Sequence, residues 1–469
     1  MLTHNESPRV TSRLMRGMMA AALGPIVTTL IQLGSVPLLL HAWGALKYGD
    51  WLLLSAIPSY LSFSGLGFGD SSGSDMTMRV AGGDRDGALA TFQSSWVLLS
   101  GMSLAVLATA GAIVWWLPWQ QMLHLSGITN RHAAWIVLVL AGWVLSVQQW
   151  SMIESGYRCD GNFALGNFCS TMQRLLEAAA GTFVGLLTKN LLLVSVTYLG
   201  FRLLGMLCYR LLLRRISPWL TLGLDHASLA VVRKMLKPSL GFIAMPLGYA
   251  VSLQGFMLVV GIVLGPIAAT AFSTSRTLTR VGAQMLSALG GGIWPELSSA
   301  FGAGNLLLAR KLHRYAYQAS LILALCCAAL LWLFGPTFYH MWVRKAVALD
   351  LACFHVLLLV SIAYSLWFTS AIVQMSANRH SRLALVYLTA AITSCAVGYL
   401  LTRKFGLLGA AFGVLLIDIV MCGLVLPMSL KQIQDTPREF FRAVFGSAPY
   451  FLRPAFATRV SPLLDPPSD

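Results

Sequence analysis

Apolar runs of about 20 residues recur along the whole chain with only short breaks between them, and this feature limits the fold more than any other. A helix rising about 1.5 Å per residue over such a run matches the ~30 Å hydrocarbon core of a bilayer. Lipid offers no partners to backbone N–H and C=O groups, so each run has to satisfy its own as a helix. The runs predict helices near 17–42, 50–69, 89–117, 133–154, 164–188 and 190–212, then near 239–260, 266–292, 312–335, 348–374, 382–402 and 406–430. Composition argues against a water-soluble alternative. Charged residues are 11% of the 469, against ~25% in a soluble domain, and apolar residues are 57%.

The net charge of +16 does not point to nucleic acid. The basic residues fall mainly in short gaps between apolar runs, and nothing resembles a stacking platform or a basic helix. They are placed as the flanks of membrane spans are. With the N-terminus inside, the cytoplasmic set includes Arg9, Arg13, Arg16, Arg79, Arg85, Arg158, Arg214, Arg215, Arg233, Lys234, Lys237, Arg310, Lys311, Arg314, Arg379 and Arg382. The opposite face keeps Lys47, Arg131, Lys189, Arg344, Lys345, Arg403 and Lys404, a bias of roughly three to one. Both termini are expected in the cytoplasm. The stretch up to Arg16 is polar and basic, and the run after it is too long for a signal-peptide core, so it reads as a retained first span.

The two halves look like copies. Gly44 and Gly265, each in the first outer turn of its half, lie 221 positions apart, and so do Gly83 and Gly304 in the next turn. Six helices per copy give both copies one orientation, related by an axis along the membrane normal. The predicted fold is therefore all-α: a polytopic integral membrane protein of about 12 transmembrane helices in two six-helix lobes around a central cavity. The expected organisation is an N-terminal lobe over 1–213, a cytoplasmic linker over 214–237, a C-terminal lobe over 238–430 and a cytoplasmic tail over 431–469. That tail is basic and then proline-rich, which suits a disordered or surface-lying segment.

Charges deep in a bilayer cost on the order of 3 kcal/mol, so they face a cavity or a partner. Few occur here: Arg174 and Glu177 on helix five, Arg202 on helix six, Arg276 and Arg280 on helix eight, and Asp418 on helix twelve. Glu154 and Asp70 sit at cytoplasmic helix ends. Arg276 and Arg280 are four apart and share one helix face with Ser273, Thr277 and Gln284. Two unpaired guanidiniums in a low-dielectric site suit a diphosphate, whose oxygens match their forked donors. Arg276 should lie about 15 Å below the outer end of its helix, too deep to snorkel. The alternative is a pair spent on helix carbonyls. Arg174 and Glu177, three apart, can pair with each other, as a structural unit or as a gate. Arg202 can join the cavity or answer Asp418, which could titrate and couple transport to protons or make a structural hydrogen bond.

The tryptophans Trp115, Trp116, Trp119, Trp143, Trp150, Trp332, Trp342 and Trp367 mostly fall near helix ends, where interface anchoring is the default and sugar stacking the alternative. Pro37, Pro58, Pro246, Pro295 and the Gly290–Gly292 run mark kinks or hinges. The eight cysteines fall in or beside apolar stretches, with no CxxC and no zinc-like spacing, so they read as packing residues and no metal or cofactor is expected. No nucleophile elbow, HExxH or paired acids appear, and no large external loop, which disfavours an enzyme such as a glycan polymerase or ligase.

Several segments carry a resemblance: "HAWGALKYGDWLLLSAI" after the first helix, "LSFSGLGFGDSS" closing the second, and "AGGDRDGA" in the joint that follows. The second half adds "FSTSRTLTRVGAQML" and "PELSSAFGAGN" with "ARKLHR". In these the chain resembles the bacterial polysaccharide flippases, the Wzx-type lipid-linked oligosaccharide translocases related to multidrug/toxin extrusion carriers and lipid II flippases. The resemblance runs from about Arg13 to Leu430. It implies export of an undecaprenyl-diphosphate-linked oligosaccharide across the bacterial inner membrane, for exopolysaccharide or O-antigen biosynthesis, by alternating access. The implied partners are that glycolipid, membrane lipid, and polysaccharide polymerase and export machinery. By position, Arg276, Arg280, Arg174 and Arg202 match the cationic lumen of that family. A cation-exporting carrier on the same architecture is the competing expectation, and it would need buried acids in the first lobe.

Overall fold

The computed structural model describes the backbone of residues 7–446, apart from 66–67, 126, 242–243, 345 and 378–379. Side chains are described from Gly24 onward, except those of 70, 81, 236–241, 285–292, 294–296, 299, 302 and 380–381. Asp70, Lys237, Pro295, the expected Gly290–Gly292 hinge, Arg379 and the N-terminal arginines fall outside the described side chains, and the tail beyond 446 lies outside altogether.

Twelve spans emerge among the described residues. The first, α1 (7–43), and the second, α2 (45–81), are joined at Gly44; α2 tightens to a 3-10 turn at Tyr60–Gly65 after Pro58. Then come α3 (Arg85–Ile113), α4 (Asn130–Cys159), α5 (Phe163–Thr188) and α6 (Leu191–Ile216). The second half repeats the pattern with α7 (Ala244–Leu264), α8 (Pro266–Gly302), α9 (Leu306–Val343), α10 (Leu351–Ser376), α11 (380–405) and α12 (407–432). Eight continuous helical stretches meet the length and hydropathy of a membrane span among the described residues, and two of them, broken at Gly44 and Gly406, hold two spans each. The spans left over are α5 and α8, the ones carrying Arg174 with Glu177 and Arg276 with Arg280. The chain is a multi-pass membrane protein whose spans form two six-helix lobes. Several helices outrun their apolar runs; α8 has 37 residues and α9 has 38, so polar flanks continue the helices past the lipid.

The internal copy is written into the backbone. Gly44 (φ 75, ψ 166) and Gly265 (φ 88, ψ 176) adopt one conformation, in a region that side-chain-bearing residues essentially never occupy. This lets the chain reverse between two helices on a single residue. Gly83 (φ 81) and Gly304 (φ 68) also match. After them, Asp84 accepts at its side chain from the Gly87 N–H at 2.8 Å, and Asn305 accepts from the Leu308 N–H at 3.0 Å, again at the 221-residue offset. These turns define two ends of the bundle, the Gly44 face and the Gly83 face.

At the Gly44 face the halves lock together. Thr270 Oγ1 donates to the Ala45 carbonyl at 2.7 Å. Its counterpart in the first half, Gly49, lies so close to Pro266, the counterpart of Ala45, that a Cβ there would sit 2.1 Å from the Pro266 carbonyl oxygen. Trp342 Nε1 adds a bond across the lobes to the Leu33 carbonyl at 2.8 Å.

Two stretches differ from expectation. Within the polar joint, Leu229–Gly241 is a helix, because Val231, Val232 and Met235 form an apolar stripe that packs on the first lobe while Arg233 and Lys234 face outward. In the tail, α13 (Pro437–Phe445) is an amphipathic helix capped by Thr436. Its Phe440 and Val444 bury against Tyr317 and Leu430, and Arg314 pairs with Asp435. Of the tryptophans, Trp115, Trp116 and Trp332 stay exposed, whereas Trp119, Trp150, Trp342 and Trp367 are core residues. Trp119 plugs the α3–α4 connection by donating to the Val114 carbonyl at 2.8 Å.

Candidate functional site

The polar face of α8 and a defect in α7 build one chamber in the second lobe. Residues Val251–Gly255 of α7 form a π-helical turn, just past Pro246. Such a turn interrupts the regular hydrogen-bond ladder and leaves carbonyls turned outward. Arg276 takes them: its guanidinium donates to the Ser252 carbonyl at 2.9 Å and the Leu253 carbonyl at 3.2 Å, with the Phe272 ring 5.8 Å away. The side chain is 9% exposed. A guanidinium has five N–H donors, so those not aimed at α7 remain for the chamber.

Arg280, one turn along, is half-buried; it donates to the Tyr249 hydroxyl and lies 5.5 Å from that ring's centre. The next turn brings Gln284, which contacts Thr29 and donates to Gln32 at 3.3 Å, both on α1. The α8 face thus leads from the chamber to the junction of the lobes. The far wall comes from α10, α11 and α12, through Ser361, Tyr364, Tyr387 and Asp418. Asp418 accepts from Trp367 Nε1 at 2.7 Å. Among the described residues, neither Arg276 nor Arg280 has a carboxylate within 4.0 Å. The enclosed space is about 40 Å³, room for a few waters.

The first lobe treats its charges differently. Arg202 Nη2 meets Glu177 Oε2 at 2.7 Å, both side chains buried. Gln173 Nε2 donates to the other Glu177 oxygen at 2.7 Å, and Trp143 Nε1 approaches Oε2 at 3.3 Å. The guanidinium lies 5.7 Å from the Trp143 ring and 5.4 Å from the Trp150 ring. Two expectations are corrected here. Glu177 pairs with Arg202 and not with Arg174, because it points inward among α4, α5 and α6, where only the neighbouring helix can reach it. Arg174 is exposed on the α1 side, its guanidinium 3.4 Å from Thr171 Oγ1. Nor does Arg202 answer Asp418, which has its own partner in the other lobe.

Of the four arginines expected in one lumen, the structure brings together Arg276 and Arg280, with Asp418 beside them, and keeps Arg174 and Arg202 elsewhere. The expected alternative for Arg276, a guanidinium on helix carbonyls, is what its inner edge does. Sequence reading missed Tyr249, Tyr364 and Tyr387, the chamber's aromatic wall. Tyrosines in the middle of apolar spans were the available signal, since a buried hydroxyl requires a partner.

No protein-family model matches the sequence, and no curated protein does. Solved structures do. A multidrug resistance MATE family transporter of the MOP superfamily, in an inward-facing conformation, superposes with a TM-score of 0.71 at 15% identity, covering 88% of this chain and 98% of that one. The chain has the MATE fold. An outward-facing MATE structure gives a TM-score of 0.62 at 15% identity, covering 90% of this chain and 95% of that one. A MOP superfamily transporter from Pyrococcus furiosus, described as having a binding pocket of reversed polarity that suggests a different function, gives 0.61 at 14% identity, covering 90% of this chain and 95% of that one.

Proposed function

We propose that the protein is an alternating-access carrier for an undecaprenyl-diphosphate-linked oligosaccharide, moving it from the cytoplasmic to the periplasmic leaflet of a bacterial inner membrane. The placement of basic residues supports an orientation with the Gly83 face and both termini in the cytoplasm. Polysaccharide polymerase and export machinery would then receive the product. The observation that carries the reading is the pair Arg276 and Arg280, lodged at depth with no carboxylate within 4.0 Å among the described residues, on a helix face that continues through Gln284 to the lobe junction. A phosphate oxygen is the natural complement of such donors.

A chamber of about 40 Å³ is too small for a diphosphate, so binding requires movement. The π-turn of α7 is the element suited to it, because straightening that turn would withdraw the carbonyls and release Arg276. Tyr249 and Tyr364 could then present faces to a sugar ring. Export of an organic cation is the second reading, favoured by the fold and by Asp418. It is weakened at Glu177, which Arg202 already neutralises, while Asp50 on α2 is a second buried acid of the first lobe.

The test is complementation of a deletion strain with wild type or with Arg276→Ala/Arg280→Ala at matched membrane levels. Surface glycan lost with the double variant, with its lipid-linked precursor accumulating inside, supports the flippase. Normal glycan export by the double variant overturns it. Loss of cation efflux in Asp418→Asn with glycan unaffected would favour the second reading.

A further inference from the structure

We propose a binding groove for an anionic glycerophospholipid on the outside of the first lobe, separate from the α7–α8 chamber. Between α3, α4 and α6 lies a cavity of about 480 Å³, within the ~300–1,000 Å³ range of small-molecule sites. Small residues make the space: Ser100 and Ser103 on α3, Gly142 and Ser146 on α4. Its rims, Leu104 and Leu207, are 68% and 55% exposed, so it opens sideways to lipid. Along α3 it runs from Trp96 to Leu107, roughly 16 Å at the helical rise per residue, about half the thickness of the hydrocarbon core. A groove of that length serves one leaflet.

Charge decides the occupant. At its lower end the groove is lined by Arg210, which also lines a second cavity of about 190 Å³ together with Arg214, Phe92 and Thr221. Arg210 and Arg214 are one turn apart on the last stretch of α6, at the Gly83 face. Neither has a carboxylate within 4.0 Å among the described residues. An apolar slot one leaflet deep ending at two unpaired guanidiniums fits an acyl chain joined to a phosphate at headgroup level. A zwitterionic lipid fits less well, because its own ammonium competes for the phosphate.

Native mass spectrometry of the full chain released from detergent tests this, with phosphatidylglycerol and phosphatidylcholine as probes. Wild type should retain one phosphatidylglycerol at a concentration at least tenfold below that needed for phosphatidylcholine. Arg210→Ala/Arg214→Ala should remove the preference and leave weak binding of both lipids. Ser146→Trp should abolish both adducts, and Ser103→Leu serves if the tryptophan variant misfolds. Millimolar glycerol 3-phosphate should leave the adduct in place; full displacement would identify a free phosphate ester as the ligand and overturn the proposal. So would an undiminished preference in the arginine variant, or unchanged retention in both groove-filled variants.

Discussion

Arg202 and Glu177 form an ion pair of 2.7 Å that is sealed between two indole faces, and this contact neutralises the Glu177 carboxylate inside the first lobe. Desolvating two charges is costly, and the pair holds only because Gln173 and Trp143 supply further donors to the carboxylate.

Removing one partner strands the other in a dry interior. Arg202→Leu and Glu177→Leu should each destabilise the protein by about 3–5 kcal/mol. The double replacement should cost clearly less than the two together. Thermal unfolding in detergent, read over the four-variant cycle, checks this. Additive losses would mean that the pair is not coupled.

Gly44 and Gly265 hold the same glycine-only backbone conformation, so alanine should be equally unwelcome at both. Each substitution is expected to cost about 1–3 kcal/mol, although no packing is disturbed, since nothing lies within 4 Å of either added methyl. Matched drops in melting temperature are the expected result. A neutral Gly265→Ala would contradict the equivalence of the two turns.

The Gly83-face caps offer a pH test. The Gly87 N–H, helped by the Arg79 guanidinium, holds the Asp84 carboxyl below its ordinary value of 3.8. A depressed folded-state value means that the cap's contribution is full above about 3.8 and is lost as pH falls through the lower value. Asn305, its counterpart, has no such titration. Hydrogen exchange corrected for intrinsic rates should therefore show protection at Gly87 falling in acid while that at Leu308 holds. Parallel behaviour of the two amides would refute this assignment.

The closeness of Gly49 to the Pro266 carbonyl predicts a wedge. Gly49→Val cannot be accommodated without parting α2 from α8 at the Gly44 face. A cysteine placed at Thr274, buried beneath that contact, should then react several-fold faster with a membrane-impermeant thiol reagent. Unchanged labelling would show that the lobes part elsewhere.

What the sequence determined by itself was the solvent and the count. Some twenty apolar residues between polar breaks dictate a membrane helix wherever they occur, because backbone groups in lipid leave no other choice. The doubling was also legible, since Gly44 and Gly265 occupy a conformation that other residues avoid, and such positions leave identical marks in both copies. Sequence spacing likewise put Arg276 and Arg280 on one face, because that is local helical geometry. Which charges meet was not local. Glu177 lies three residues from Arg174 yet bonds Arg202, 25 positions away, because burial among α4, α5 and α6 decides which guanidinium can reach it. The carbonyls that hold Arg276 exist only because α7 makes a π-turn, and the tyrosines around Arg280 come from three different helices. Tertiary packing alone sets the dielectric and the partner at each depth, so it alone separated the neutralised Arg202–Glu177 pair of the first lobe from the Arg276–Arg280 chamber in the second.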